Sequence, residues 1–453
     1  MSDVVVVGGG VAGLAAAVAL AGDGAAVTLL ERRPTIGGRA YSYEHPALGE
    51  VVDSQHVVLG CCTNLLGMMD QAGAGNLVRW YDELMFLEPG GRRSVMKPSR
   101  LPAPLHQALS FLQAPMLGLK DKAVIAAGLL RFLRGYPEND TESFASWLKR
   151  TGQTERAIRH FWEPVVVGAL NDGLEQCSVK YAGKVFHESF LKSQEGGRLG
   201  IPAVPLTEFF TPVSELAERL GVTVRVKCGV DGLERRDGRW VVRTAEGEYA
   251  AESVVLATDF RQTQRLIAGL GGEVGIGFER FVAAPITTVH LWYDRDVTEM
   301  DHAVLLDTRI QWVFAKSRIR RWEAGRGSYL ELVISASWAE LGMGREEILT
   351  SALRELELFF PKVREARLVK SGVLKEARAT FSVTPGLDAY RPAQKTEWSG
   401  LYLAGDWTAT EWPSTMEGAV RSGRLAAGDV VGDAGRFMAT ETPAGGLMRW
   451  ISE

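Results

Sequence analysis

The chain of 453 residues is poor in the features that most quickly fix a protein's class. It has four cysteines, Cys61, Cys62, Cys177 and Cys228. These are too few and too scattered for a disulfide framework, and no CxxC or His/Cys spacing suggests zinc. No metal is expected, and the thiols read as reduced and packed. The apolar runs, Ala123–Leu130 among them, fall far short of the ~18 residues that span a bilayer. The opening Met-Ser-Asp lacks the basic segment of a signal peptide. The expected location is therefore cytoplasmic, with peripheral contact at the inner face of a membrane left open. Neither charge dominates. Lys plus Arg number 51 and Asp plus Glu 55, a net charge of -4, so no nucleic-acid partner is expected. Internal repeats and low-complexity linkers are also missing. What remains is a chain with 46% hydrophobic residues, long enough for more than one domain and able to bury a sizeable core.

The strongest local signal opens the chain. Val4-Val5-Val6-Val7 suits a buried parallel strand. Gly8-Gly9-Gly10-Val11-Ala12-Gly13 follows at once, and the Ala- and Leu-rich stretch Ala12–Ala21 reads as a helix. Ala26–Leu30 reads as a second strand, with Glu31 at its end. This order is what dinucleotide binding needs. Gly8 allows the tight turn, Gly10 leaves room for a pyrophosphate, and Gly13 lets helix and sheet approach. The helix start at Val11 and Ala12 points free N–H groups at the phosphates. Glu31, 18 residues after Gly13, is placed to accept from ribose hydroxyls and disfavours a 2′-phosphate.

The stretch Glu31-Arg32-Arg33-Pro34-Thr35-Ile36-Gly37-Gly38-Arg39-Ala40 resembles the extended fingerprint of FAD-dependent amine oxidases and carotenoid-type desaturases. That resemblance implies FAD, with Gly38, Arg39 and Ala40 around the pyrophosphate and Arg32 beside the ribose acid. Far along the chain, Leu401-Tyr402-Leu403-Ala404 reads as a strand ending in Gly405-Asp406, and Trp412-Pro413-Ser414-Thr415-Met416-Glu417-Gly418-Ala419 leads into a helix reaching about Gly428. Asp406 suits a ribityl hydroxyl. The N–H groups near Met416, Glu417 and Ala419 suit the electron-rich edge of a flavin ring.

Between these motifs, Val222–Val226, Trp240–Arg243 and Tyr249–Ala257 read as short strands, the last returning to the nucleotide sheet. The pattern gives an α/β fold class: a Rossmann-like FAD-binding domain of the amine oxidase/glutathione reductase type with an inserted α+β substrate domain. The FAD-binding domain is read as 1–60, 205–280 and 395–435. The substrate-binding domain is 61–204, mostly helical, together with 281–394, which mixes strands with an amphipathic helix near Glu346–Phe359. Residues 436–453 form a C-terminal tail.

Three further stretches narrow the resemblance: Asp53-Ser54-Gln55-His56-Val57-Val58-Leu59-Gly60-Cys61-Cys62, Phe161-Trp162-Glu163-Pro164 with Ala169-Leu170-Asn171, and Ala404-Gly405-Asp406-Trp407 through Trp412–Gly423. Over nearly its whole length the chain is similar to the hydroxysqualene dehydroxylase branch of the flavin amine oxidase/phytoene desaturase superfamily. Ser54 stands where that branch more often has Gly. The resemblance implies that Gln55 and His56 lie at the flavin and that a backbone group near Val230 touches adenine. It also implies a reaction, the loss of an allylic hydroxyl from hydroxysqualene as water with a hydride taking its place. Such a leaving group needs a general acid, and His56, Asp53 and Asp172 are the candidates. An emerging allylic cation would suit aromatic walls, for which Phe161, Trp162, Trp292 and Trp312 are candidates beside their plainer reading as core.

Other readings stay open. An oxidative carotenoid-type desaturase or an amine oxidase would use the same motifs, and a non-catalytic lipid-binding escort could share the architecture. The electron donor is unidentified, because no second strand–GxGxxG–helix unit is present and the glycines at 269–277 do not fit its spacing. Leu101–Leu119, followed by Lys120, Lys122, Arg131 and Arg134, fits an interfacial segment and a buried helix pair equally well.

Overall fold

The computed structural model describes residues 3–271, 276–323 and 325–451. The glycines at 272 and 275 and the last two residues of the tail lie outside the described residues. Strand β1, Asp3–Val7, is central in a five-stranded parallel sheet. Strand β2, Ala26–Leu30, pairs on one side of it, followed by Thr223–Arg225; on the other side lie Ser253–Leu256 and then Leu401–Leu403. The β-branched run of β1 suits this position, since both faces of the strand are covered. Helix α1, Val11–Gly22, connects β1 to β2, and ten of its residues are buried. Chain order runs outward from β1 in one direction and then resumes on its other side. Such a reversal opens a crevice at the carboxyl ends of the strands, where ligands of open α/β sheets bind.

A three-stranded antiparallel sheet, Val230–Arg236, Arg239–Thr244 and Gly247–Ala251, lies beside this one in sequence. The single strand expected over 249–257 is therefore two. It divides at Glu252, whose N–H donates to Asp3 O, because its halves pair with different sheets in different directions.

The remaining large sheet has seven strands, in the order Leu368–Phe381, Ala283–Tyr293, Ser328–Ser335, Trp312–Ala315, His302–Leu305, Leu84–Leu87 and Arg93–Met96. Its last two strands come from the first insertion, which is thus less helical than its sequence suggests. Leu84-Met85-Phe86-Leu87 is a four-residue apolar run, too short for its periodicity to separate strand from helix. The amphipathic helix is present as Arg345–Phe359, with Ile348, Ala352, Leu356 and Phe359 buried against this sheet. All four cysteines are free and buried. No helix among the described residues is long and apolar enough to cross a membrane.

Candidate active site

The crevice above β1 opens into a cleft of about 1490 Å³. That exceeds the roughly 300–1,000 Å³ of a single small-ligand pocket, so a dinucleotide leaves room for a second molecule. Gly8, Gly10, Val11, Ala12, Glu31, Arg32, Gly38, Arg39, Ala40, Gln55, His56, Val230, Gly405, Asp406, Met416, Glu417 and Ala419 all line it. Gly13 does not. A Cβ there would lie 1.9 Å from Gly8 O, so Gly13 sets the distance of α1 from the turn. Gly10 differs. A Cβ there would meet only Gly38 Cα, at 3.7 Å, which leaves an open surface against which a phosphate can rest.

Glu31 is buried at the end of β2. Its Oε2 accepts from Gly9 N–H at 2.6 Å and its Oε1 from Arg33 N–H at 2.8 Å. The carboxylate thus holds the glycine turn and faces the cleft edge.

At the other end, Arg39 donates to Asp406 Oδ1 at 2.5 Å and to Ala379 O at 3.0 Å. Burial opposes the Arg39 charge, but Asp406 outweighs it and raises the guanidinium pKa. The Gly405–Trp412 loop depends on Arg391, which the sequence reading missed. Its buried guanidinium donates to Asp406 O at 2.8 Å, Thr408 O at 2.6 Å and Trp412 O at 2.8 Å. The helix Met416–Val431 begins beneath this loop, capped by Thr415 Oγ1, which accepts from Gly418 N–H at 3.0 Å. Glu417 differs from expectation. Its carboxylate accepts from Asn64 N–H and Nδ2 and from Leu65 N–H, in the first turn of helix α2, Thr63–Gln71. The side chain ties two helices together; the Ala419 N–H expected to face a ligand instead donates to Thr415 O at 3.0 Å, which leaves the N–H groups of Met416 and Glu417.

The Gln55–His56 segment rests on a buried charge cluster. Lys316 Nζ donates to Asp53 Oδ1 at 2.7 Å and sits 2.7 Å from Glu331 Oε2, off the hydrogen-bonding direction. Arg320 donates to both Asp53 oxygens, at 2.8 and 2.9 Å, while Leu206 N–H donates to Oδ2 at 3.0 Å. Glu331 Oε1 in turn accepts from Gln55 N–H at 2.7 Å. Burial alone would raise the Asp53 pKa, but Lys316 and Arg320 hold it well below the usual carboxylate range. Asp53 therefore carries no proton to give, and its assignment as general acid is corrected to one of positioning.

His56 lines the cleft, and its Nδ1–H donates to Ser54 O at 2.8 Å. Burial lowers its pKa against the opposing pull of the Ser54 hydrogen bond and Asp53, with Lys316 and Arg39 acting in the same direction as burial. The ring is thus neutral near pH 7, with Nε2 as an acceptor, which corrects its reading as a resting proton donor. Asp172 does not line the cleft. Its Oδ1 accepts from Gly173 N–H at 2.9 Å and from Trp338 Nε1 at 3.3 Å. Asn171, in the left-handed conformation with φ 56°, turns its own side of the chain to the cleft instead.

The expected aromatic walls are also displaced. Phe161 and Trp162 pack with Phe144 and Phe186. Trp292 stacks on Tyr329 at 4.4 Å and Trp312 on Phe314 at 5.5 Å. The rings that line the cleft are Tyr41, Tyr43, Tyr181, Phe260, Phe381, Trp407 and Trp412.

A further wall comes from the helix Val179–Phe186, which continues into a π-helical turn, His187–Leu191. Tyr181, Lys184, Glu188 and Ser189 face the cleft from it. Lys184 is buried. Its Nζ donates to Tyr136 Oη at 2.8 Å and lies 5.0 Å from the Trp412 ring centroid. Burial lowers its pKa and Arg421 acts the same way, against the opposing pull of Glu188, Glu441 and Glu411.

A glycine cradle with a buried carboxylate at the end of β2, joined to a second helix start and a cleft too large for the dinucleotide alone, defines an FAD-dependent oxidoreductase. The chain belongs to the flavin containing amine oxidoreductase family, whose profile matches residues 11–431. It is 26% identical over 479 residues to the zeta-carotene desaturase of Synechocystis sp. PCC 6803, covering 96% of this chain and 98% of that one. It is likewise 26% identical to the 15-cis-phytoene desaturase of Solanum lycopersicum, covering 95% of this chain and 78% of that one. Its fold is shared with putrescine oxidase (TM-score 0.72, 19% identity, 95% and 99% coverage) and with cyclohexylamine oxidase from Brevibacterium oxydans (TM-score 0.68, 17% identity, 95% and 98% coverage).

Two outcomes are expected from these contacts. Charge-assisted hydrogen bonds contribute roughly 1.5–3 kcal/mol each, so Glu31→Ala should weaken FAD retention at least about tenfold; full flavin after extensive dialysis would refute the role. Asp53→Asn leaves Lys316 and Arg320 undercompensated and should lower unfolding stability by about 3–5 kcal/mol, read from denaturant midpoints. The folded Asp53 pKa lies below its unfolded value of about 3.9. Its contribution is therefore present above that pH and lost as pH falls through the folded pKa, so the gap between wild type and variant should close in acid.

Proposed function

We propose that the protein reductively dehydroxylates hydroxysqualene to squalene, as in hopanoid biosynthesis, drawing electrons from a donor outside this chain. Bound FAD, once reduced, supplies the hydride. The residues must then protonate a poor leaving group and keep water from the developing allylic cation. The observation that carries this reading is the buried Lys184 on the cleft wall. Its ammonium lies between the Tyr136 and Trp412 rings, and a lowered pKa makes it a better acid than an ordinary lysine. Tyr181, Trp407 and Trp412 line the same cleft and give it an aromatic, water-poor wall. The stretches Asp53–Cys62, Phe161–Asn171 and Trp412–Gly423 support the choice of a C30 substrate.

A second reading has its own support. Neutral His56, with Nε2 unbonded among the described residues, suits removal of a proton, as an oxidative polyene desaturase requires. The relatives named as zeta-carotene and phytoene desaturases favour it too.

One anaerobic experiment separates the two. Photoreduced protein given hydroxysqualene in deuterated water should form squalene carrying one solvent deuterium. Lys184→Met should slow this by about 10²–10⁴-fold with flavin content unchanged, and the wild-type rate should fall as pH rises through the lowered Lys184 pKa. If reduced protein forms no squalene while oxidised protein adds double bonds to a polyene, and His56→Ala abolishes that activity, the desaturase reading replaces this one.

A further inference from the structure

Of the seventeen exposed large apolar side chains among the described residues, eight fall in one region. Leu101, Leu105, Leu109 and Leu112, spaced 4, 4 and 3 apart, are all exposed, Leu112 at 60%. They belong to the turn Leu105–Gln107, the helix Ala108–Gln113 and the residues just before them. The next helix, Leu119–Leu130, repeats the arrangement. Leu119, Ala123, Ala126 and Leu130 share one helical face and are exposed, Leu119 at 86% and Leu130 at 65%. Lys122 Nζ donates to Leu112 O at 2.7 Å, which joins the two stripes. The C-terminal turn Met448–Ile451 docks at the same place through Leu447 N–H, which donates to Ala103 O at 2.8 Å, and it leaves Trp450 79% exposed. A soluble helix normally turns its apolar stripe inward; here two consecutive helices turn one outward.

Charge follows the same boundary. Residues 97–134 hold six bases, Lys97, Arg100, Lys120, Lys122, Arg131 and Arg134, against one acid, Asp121, for a net +5 in a chain of -4. Asp121 is buried and occupied by Gly118 N–H and Thr154 Oγ1, so the one carboxylate of this segment does not offset its bases. Lys97, Arg100, Lys120, Arg131 and Arg134 form no ion pair among the described residues. None of these residues lines the cleft.

We infer that this face is a docking surface for an anionic lipid bilayer, with the leucine stripes and Trp450 entering the headgroup–acyl boundary and the bases meeting lipid phosphates. Exposed apolar stripes bounded by cations, with a Trp at the edge, have the composition of in-plane membrane anchors. A second copy of the chain fits less well, because a twofold interface would bring two +5 faces together. The inference goes beyond the chemistry proposed above and stands whether or not that reading is right.

The test uses the full-length flavoprotein and sedimentation with vesicles, independent of turnover. Protein should pellet with vesicles of phosphatidylcholine mixed with phosphatidylglycerol, much less with phosphatidylcholine alone, and less as salt rises. The triple variant Leu112→Glu, Leu119→Glu, Leu130→Glu should bind at least about tenfold more weakly, with its flavin absorbance intact as evidence of folding. Lys120→Glu with Arg131→Glu keeps the apolar stripes and should remove the preference for anionic vesicles, again by about tenfold. Failure of the wild type to bind mixed vesicles, or variants that bind as it does, would overturn the inference. So would a dimer on size exclusion that the triple variant dissociates, since that would assign the face to a second copy.

Discussion

The buried cluster of Asp53, Lys316, Arg320 and Glu331 is the constraint on which the cleft depends. Two carboxylates and two cations are held where water does not reach, with side-chain exposures of 0–9%. Removing any one leaves a buried charge without its partner, which is far more costly than losing a surface ion pair. The cluster also joins parts of the chain that are otherwise separate. Asp53 follows the nucleotide cradle and takes the Leu206 N–H at the start of the helix Leu206–Arg219, while Lys316, Arg320 and Glu331 belong to the seven-stranded sheet and its adjoining turn. Through Glu331 and the Gln55 N–H, the position of the Gln55–His56 segment follows from charge balance rather than from local backbone preference.

Burial sets the protonation of the imidazoles beside this cluster. It is the main cause of the lowered pKa of His56 and of that of His290, lowered to about 3, with Lys316 acting the same way and Asp53 against it. The helix Val179–Phe186 offers a proton donor from another wall. There the charged neighbours of Lys184 are mostly carboxylates, Glu188, Glu411 and Glu441, which favour the ammonium against the cost of burial.

How much of this was legible in the sequence follows from the range of each interaction. The cradle was readable because its demands are local. Gly8, Gly10, Gly13 and Glu31 lie within one β-α-β unit, and each residue type answers a backbone or ribose requirement. Arg39 and Asp406 were found separately, but their ion pair joins positions 367 residues apart, and no spacing rule connects them. Lys316 and Glu331 gave no signal at all. A lysine opening the short helix Lys316–Ile319 and a glutamate within Ser328–Ser335 look like solvated residues until the fold sets Lys316 against Asp53, 263 positions away. Asp172 shows the opposite failure. It sits beside Asn171, yet the left-handed turn at Asn171 sends the two side chains to different surroundings, so adjacency in sequence misled.

The cleft thus holds an acceptor, His56, and, on another wall, an ammonium, Lys184, that burial makes more acidic. A flavin enzyme can run hydride transfer in either direction, and the protein biases the direction through the proton partner it offers to the substrate and through the redox state in which its cofactor is delivered. An allylic alcohol cannot leave without a proton, whereas a saturated bond cannot become a double bond without losing one. Which side chain lies against the reacting carbon therefore matters more to the outcome than the cofactor cradle, which both reactions share. Lys184 and His56 stand on different parts of the fold, the helical wall and the Ser54–His56 segment that Glu331 holds through Gln55 N–H.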